Sequence, residues 1–227
     1  ARTGIPFYDH MLEQVGKHGG FDLRIDATGD LHIDTHHTVE DVAIALGEAF
    51  RDAVGDKVGV RRFASGRYPL DEALVDVALD LSGRPFVVWE VEMPECLPLG
   101  NPAFDPQLAE HAVSSFATAA GITLHVQLIR GRNVHHIIEA TFKGLGRRLR
   151  DAVRVEGTSL PRTKGILGAP RGSRSRPDPP RPRRDPDAPT PRSFRRLPFA
   201  LLALAAVTCS DDTGQPPGGS VNGTVYM

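Results

Sequence analysis

The chain has 227 residues, 40% of them apolar, and a formal net charge of −1. That is enough apolar sequence for a real core, and the charge balance excludes a general nucleic-acid or acidic-surface binder. Cys96 and Cys209 form neither a ligand spacing nor a disulfide framework, and no segment reaches the roughly 18 apolar residues of a bilayer span. These features predict a soluble cytoplasmic protein with no membrane or nucleic-acid partner. In chain order, "TGIPFYDHMLEQ" opens a helical stretch that carries His10 and ends at Gly20. Phe21, Leu23 and Ile25 then alternate as a strand. "DTHHTVED" opens an amphipathic helix with Val39, Val42, Leu46, Ala49 and Phe50 on one face, ending in "RDAV". "ALVDVALDLSGRPFVVWEVEMP" alternates on both sides of Ser82-Gly83 and predicts a hairpin over Leu74 to Met93. Asp105-Pro106 is an N-cap followed by Pro at the first helical position, and that helix carries His111 and ends at Gly121. A strand follows with Ile122, Leu124 and Val126, and "NVHHIIEA" opens a last helix with Ile138, Phe142, Leu145 and Leu149 on one face.

The order repeats. An early histidine, a glycine at a helix end, an alternating strand, a His-His-x-x-Glu helix and a closing "RDAV" occur twice, about 100 residues apart. From the early histidine to the pair is 26 residues in one copy and 24 in the other. A domain-sized period predicts an internal duplication, with halves at about 1–60 and 61–167, rather than a solenoid. The first half then lacks the opening hairpin of the second, which predicts an open strand edge near Thr3.

The composition changes at Gly168. "GAPRGSRSRPDPPRPRRDPDAPTPRSFRR" is rich in Pro and Arg and nearly free of apolar residues, so 168–227 is expected to be either disordered or an artefactual extension from a joined or shifted reading frame. Within it, "RRLPFALLALAAVTCSDDTG" has the layout of a secretory signal, which does not belong after a folded domain. Removing the tail is therefore expected to change neither fold nor activity.

The motifs point to metal chemistry. At about 100° per residue on a helix, His36, His37 and Glu40 share one face, and His135, His136 and Glu139 repeat the arrangement. With His10 and His111 the chain offers two sets of four ligands, and nitrogen and oxygen donors without thiolate favour a six-coordinate Mn²⁺ over structural zinc. His18, His32 and His125 lack such pairing and read as ordinary surface or strand residues. Arg62, Arg84, Lys143 and Lys164 lie near turns or element ends, and cations of this kind beside a metal suit a phosphate.

"TGIPFYDHMLEQ", "GDLHIDTHHTVEDVAIALGEA", "PLDEALVDVALDLSGRP", "GITLHVQLIRGRNVHHIIEATFKGLGRRLRDA" and "PRTKGIL" together resemble imidazoleglycerol-phosphate dehydratase of histidine biosynthesis, from about Thr3 to Leu167. The resemblance implies an α+β fold of two duplicated halves, each a small sheet packed with helices, of the ribosomal protein S5 domain 2-like kind. It implies trimers assembled into a 24-subunit homo-oligomer, with two Mn²⁺ per active site between subunits. The matching metal ligands are His10, His36, His37, Glu40, His111, His135, His136 and Glu139. The matching phosphate positions are Arg62, Arg84, Lys143 and Lys164, and Gln14 matches a substrate contact. Arg162 stands where the family usually has Ser, and the family's N-terminal segment carries an active-site glutamate. The implied reaction converts the ring to an imidazolate that expels the adjacent hydroxyl, and a glutamate, Glu139 or its duplicate Glu40, handles the proton. A dinuclear phosphate-ester hydrolase and an inactive metal-binding shell are the alternatives.

Overall fold

The computed structural model describes residues 1–159, 204–208 and 222–226. The elements are α1 (Pro6–Gly19), β1 (Arg24–Asp26), α2 (His36–Val54), β2 (Phe63–Leu70), β3 (Ala73–Asp80), β4 (Phe86–Glu90), α3 (Gln107–Ala120), β5 (Thr123–Arg130), α4 (Val134–Ala152), β6 (Leu204–Thr208) and β7 (Asn222–Tyr226). Local chemistry sets the helix boundaries. Gly20 and Gly121 close α1 and α3 in the left-handed region, at φ 69° and 65°, where only glycine is unstrained. Asp105 Oδ1 accepts the backbone N–H of Gln107 at 2.9 Å, and Pro106, expected as the first helical residue, stands at the N-cap one position earlier. Asn133 caps α4 by accepting the N–H groups of His135 and His136, which fixes where that histidine pair begins.

The four helices pair crosswise between the halves. α1 packs on α4 and α2 on α3, so each half clasps the other. Tyr8, Leu12, Leu46, Val113, Phe116, Phe142 and Leu145 are buried where the pairs meet. Each such side chain contributes about 1.5–3 kcal/mol by leaving water. The close approach depends on one position used twice. Gly47 and Gly146 each stand eleven residues after the first histidine of their helix, in "LGEAFRDAV" and "LGRRLRDAV". A Cβ at Gly47 would lie 2.5 Å from the Phe116 carbonyl oxygen on α3, and one at Gly146 would lie 2.6 Å from that of Val15 on α1.

The second half builds a four-stranded sheet in the order β2-β3-β5-β4. β3 buries alternate residues, Ala73, Val75, Val77 and Leu79, against the helices. The hairpin predicted around Ser82-Gly83 does not form. β3 and β4 both pair with β5 and lie on opposite sides of it, β3 antiparallel and β4 parallel. The link passes under the start of β5, where Ser82 Oγ lies 3.0 Å from Thr123 Oγ1 and the N–H of Phe86 donates to the Ile122 carbonyl. Alternation reveals a strand's buried face but not its neighbour. The hairpin is instead β2–β3, and β2 runs through "FASGRYPL", which shows no clean apolar alternation.

Most of the tail lies outside the described residues. Two segments of it, 204–208 and 222–226, are strands. β7 pairs antiparallel with β1, β6 pairs antiparallel with β7, and Arg2 bridges Asp26 in parallel on the other side of β1. The order β6-β7-β1-Arg2 reproduces β2-β3-β5-β4, including every relative direction. The hairpin from the tail thus stands beside β1 as β2–β3 stands beside β5, while near Thr3 the chain's neighbour is β1 itself, through the Arg2–Asp26 bridge. Removing residues 168–227 should then expose Arg24 to Asp26. Losing one net hydrogen bond, about 1 kcal/mol, speeds amide exchange roughly fivefold. Unchanged exchange at these amides in the truncated protein would restore the expectation of an idle tail.

Candidate metal centre

The crosswise helix pairing assembles two clusters. His10 on α1 meets His135 and Glu139 on α4, while His111 on α3 meets His36 and Glu40 on α2. In each cluster the candidate ligand atoms lie within 4.8 Å of one another. The early histidine of each half therefore serves the helix of the other half.

In the first cluster, Glu139 Oε2 lies 3.0 Å from His135 Nε2 and 3.6 Å from His10 Nε2. Its other oxygen accepts a 2.7 Å hydrogen bond from Lys143 Nζ, one turn along. Burial alone would raise the Glu139 carboxyl, but the hydrogen bond and charge of Lys143, with help from His135, hold it below the usual carboxylate range. Gln14 sits one turn beyond His10 with its amide 3.3 Å from His10 Nδ1, and Phe7 packs edge-on against His135 at 5.2 Å between centroids. The second cluster is looser. Glu40 lies 3.5 Å from His111 Nε2 and 4.0 Å from His36 Nε2, and the two imidazole rings are 4.4 Å apart. His111 Nε2 is buried without a hydrogen-bond partner, as a nitrogen kept for a cation would be. A cavity of about 860 Å³ opens beside this cluster, lined by His36 and His111 with Asp34, Asp105 and Glu110. Its carboxylates suit a cation and repel a phosphate.

The sequence suggested two sets of four ligands, and among the described residues a single chain brings together two sets of three. His37 and His136 stand outside the clusters. His37 Nδ1 lies 2.9 Å from Asp30 Oδ2, and His136 Nδ1 lies 2.8 Å from Glu72 Oε2. His18, His32 and His125 join neither cluster. The basic residues do not converge within one chain either. Arg62 holds Asp80 through two hydrogen bonds of 2.6 and 2.9 Å, and Arg84 is exposed in the β3–β4 link. Both lie at the far end of β2–β3 from the turn that meets His136, eight residues or roughly 25 Å of strand away. Only Lys143 adjoins a cluster, and Lys164 and Arg162 lie outside the described residues. Sequence reasoning missed Asp30, Glu72, Gly47 and Gly146. The paired glycines were legible as a repeat within the duplicated helices, whereas an acid in a turn gave no signal.

The Asp30 hydrogen bond and charge raise the His37 imidazole above its ordinary value. A metal requires the neutral ring, so a proton competes at higher pH at His37 than at a histidine of about 6.5. If His37 ligates, bound metal should begin to fall above about pH 6.5 and decline further on acidification, read by metal analysis after dialysis. Constant metal content from pH 8 to 5 would count against imidazole ligation.

Fold and site together define a class: a duplicated α+β protein whose halves cross to form two histidine–glutamate clusters fit for divalent cations. A profile of the imidazoleglycerol-phosphate dehydratase family matches residues 3–149. The chain is 54% identical over 169 residues to the imidazoleglycerol-phosphate dehydratase of a Parafrankia strain, covering 74% of this chain and 85% of that protein. It is 55% identical over 167 residues to that of Acidothermus cellulolyticus, covering 73% and 79%. Among solved structures, the enzyme of Pyrococcus furiosus superposes with a TM-score of 0.66 at 37% identity, over 74% of this chain and 89% of that one. That of Staphylococcus aureus gives 0.62 at 36% identity, over 67% and 85%. The chain belongs to the imidazoleglycerol-phosphate dehydratase family. It is a hydro-lyase of histidine biosynthesis, and the phosphate-ester hydrolase alternative falls away. Among the described residues no helix is long and apolar enough to cross a membrane.

Proposed function

We propose that this dehydratase requires Mn²⁺, two ions per active site, and that each site is completed between subunits of a cytoplasmic homo-oligomer of 24 chains built from trimers. The crosswise clusters carry the reading: His10 with His135 and Glu139, and His111 with His36 and Glu40. Imidazole and carboxylate donors without thiolate match a six-coordinate divalent ion, and three ligands leave places for substrate and for a neighbour's histidine. His37 and His136, outside both clusters of their own chain, are the residues such a neighbour would receive.

Divalent ions held by these histidines and glutamates would supply Lewis acidity to the imidazole ring of the substrate. The side chains handle position and protons. Glu139, kept ionised by Lys143 at neutral pH, accepts the proton lost from the neighbouring carbon, and Glu40 is its duplicate in the other cluster. The resulting enol becomes the ketone by proton return to the ring-adjacent carbon, so the net change is loss of water. Gln14 on the His10 helix contacts substrate. Lys143, with Arg62, Arg84 and Lys164 from adjoining chains, binds the phosphate.

The test is formation of imidazole acetol phosphate, followed by enol–ketone absorbance, with Mn²⁺ supplied or chelated. Turnover that is lost on chelation and restored by Mn²⁺ supports the reading. A metal-loaded assembly without turnover would establish the inactive shell instead. Arg84→Ala should raise the apparent substrate constant by about 10- to 150-fold, the equivalent of 1.5–3 kcal/mol for a charge-assisted bond, without changing metal content. Wild-type affinity in that variant would reduce Arg84 to a turn residue.

A further inference from the structure

The two histidines outside the clusters share one detail. Each gives its Nδ1 to a carboxylate that belongs to neither cluster, at 2.9 Å for His37 and 2.8 Å for His136. A carboxylate only accepts, so in the neutral ring Nδ1 carries the proton and Nε2 keeps its lone pair, which on His136 lies 3.8 Å from Asp71 Oδ2. The halves reach this arrangement by different routes. Asp30 comes from the loop between β1 and α2, seven residues before His37, and is itself almost fully buried. Glu72 comes from the β2–β3 turn, 64 residues before His136. Its second oxygen accepts the backbone N–H groups of Arg132 and Asn133, at 3.2 and 2.8 Å, in the loop that leads into α4. Glu72 therefore holds both the ring and the loop from which its helix starts. Divergent routes to one contact are unexpected if each acid merely decorates a loop.

We infer that Asp30 and Glu72 are positioning residues, which fix His37 and His136 in the tautomer and orientation that present Nε2 to a metal ion outside this chain's own clusters. The inference rests on the ligand reading of those two histidines. A carboxylate behind a ligating imidazole sets its tautomer, and its loss typically weakens metal binding by 10- to 100-fold. Lys143, Glu139 and the three-residue clusters are untouched by either acid.

The experiment compares wild type, Glu72→Ala, Glu72→Gln and Asp30→Ala. Imidazole ¹⁵N shifts of the metal-free protein give the tautomer of each histidine, and Mn²⁺ titration gives affinity. In Glu72→Ala, His136 should lose its preference for the Nδ1–H form while His37 keeps it, and one class of Mn²⁺ sites should weaken by 10- to 100-fold. Glu72→Gln, whose amide oxygen still accepts, should restore much of both. Asp30→Ala should affect His37 and spare His136, which guards against damage to the α4 loop in the Glu72 variants. Unaltered tautomers in both alanine variants would overturn the inference. Altered tautomers with wild-type Mn²⁺ affinity would uphold the positioning and overturn the ligand reading of the two histidines.

Discussion

On the two-metal reading proposed above, a His111→Ala variant should lose one ion and retain the other, the one lost being that expected beside His36 and Glu40. The reason is the exchange between halves. His111 belongs by sequence to the second half, with His135 and Glu139, yet its Nε2 lies 3.5 Å from Glu40 on α2. His10 shows the reciprocal behaviour, 3.6 Å from Glu139 on α4. Removing a direct ligand should cost more than the 10- to 100-fold typical of an outer carboxylate, so the affected site should empty at micromolar metal. Turnover should fall by at least about 100-fold, since the substrate ring would lose one of its two Lewis acids. His36→Ala should mimic His111→Ala, and His10→Ala should mimic His135→Ala. His125→Ala, on a strand outside both clusters, should keep full metal content. The pattern is read by metal analysis, and the pairing is read by double variants. His111→Ala with His36→Ala should lose no more metal than either alone, whereas His111→Ala with His135→Ala should lose both ions. A protein in which His111→Ala with His135→Ala empties one site alone would show that each half keeps its own histidine.

The duplication was legible because it is written in local chemistry. Glycines at two helix ends, the Asp105 cap and the 3.6-residue apolar rhythm of α2 and α4 all depend on neighbours within a few residues. The histidines fell on one helical face for the same reason. Partnership between elements was not legible. Alternation in β3 and β4 shows which side chains turn inward, but only the assembled sheet shows β5 between them. Likewise, nothing in "DHMLEQ" says whether His10 faces α2 or α4. Within one chain the described clusters hold three ligands each, because His37 and His136 are turned to Asp30 and Glu72 rather than to the clusters beside them. The tail shows a related limit. Composition argues against independent folding of 168–227, yet a strand needs only an available edge, and β1 provides one to β7.

What lets the halves cross closely enough to share ligands is a missing methyl group, and restoring it should break the site it serves. In Gly146→Ala the new Cβ would lie 2.6 Å from the Val15 carbonyl oxygen, 3.0 Å from Val15 Cα and 3.1 Å from the Gly19 nitrogen. All three are backbone atoms of α1, so no side chain can rotate away. Relief to ordinary contact requires α1 and α4 to separate by roughly 1 Å, an overpacking that costs about 1–3 kcal/mol. Alanine returns about 1 kcal/mol through its better helix propensity, so the fold should survive with a modestly lower melting temperature. The site is less tolerant. Glu139 precedes Gly146 by two helical turns on the same face of α4, and its distance to His10 on α1 is set by that packing. A displacement of 1 Å at reacting groups commonly costs about 100-fold. Gly146→Ala should therefore release the ion held by His10, His135 and Glu139, and turnover should fall by about two orders of magnitude. Gly47→Ala, whose Cβ would meet the Phe116 carbonyl oxygen at 2.5 Å, should release the other ion instead. Metal titration and melting temperature of the two variants decide the matter together. If both melt near wild type and bind both ions with wild-type affinity, the close crossing of the helices is not what holds the clusters together.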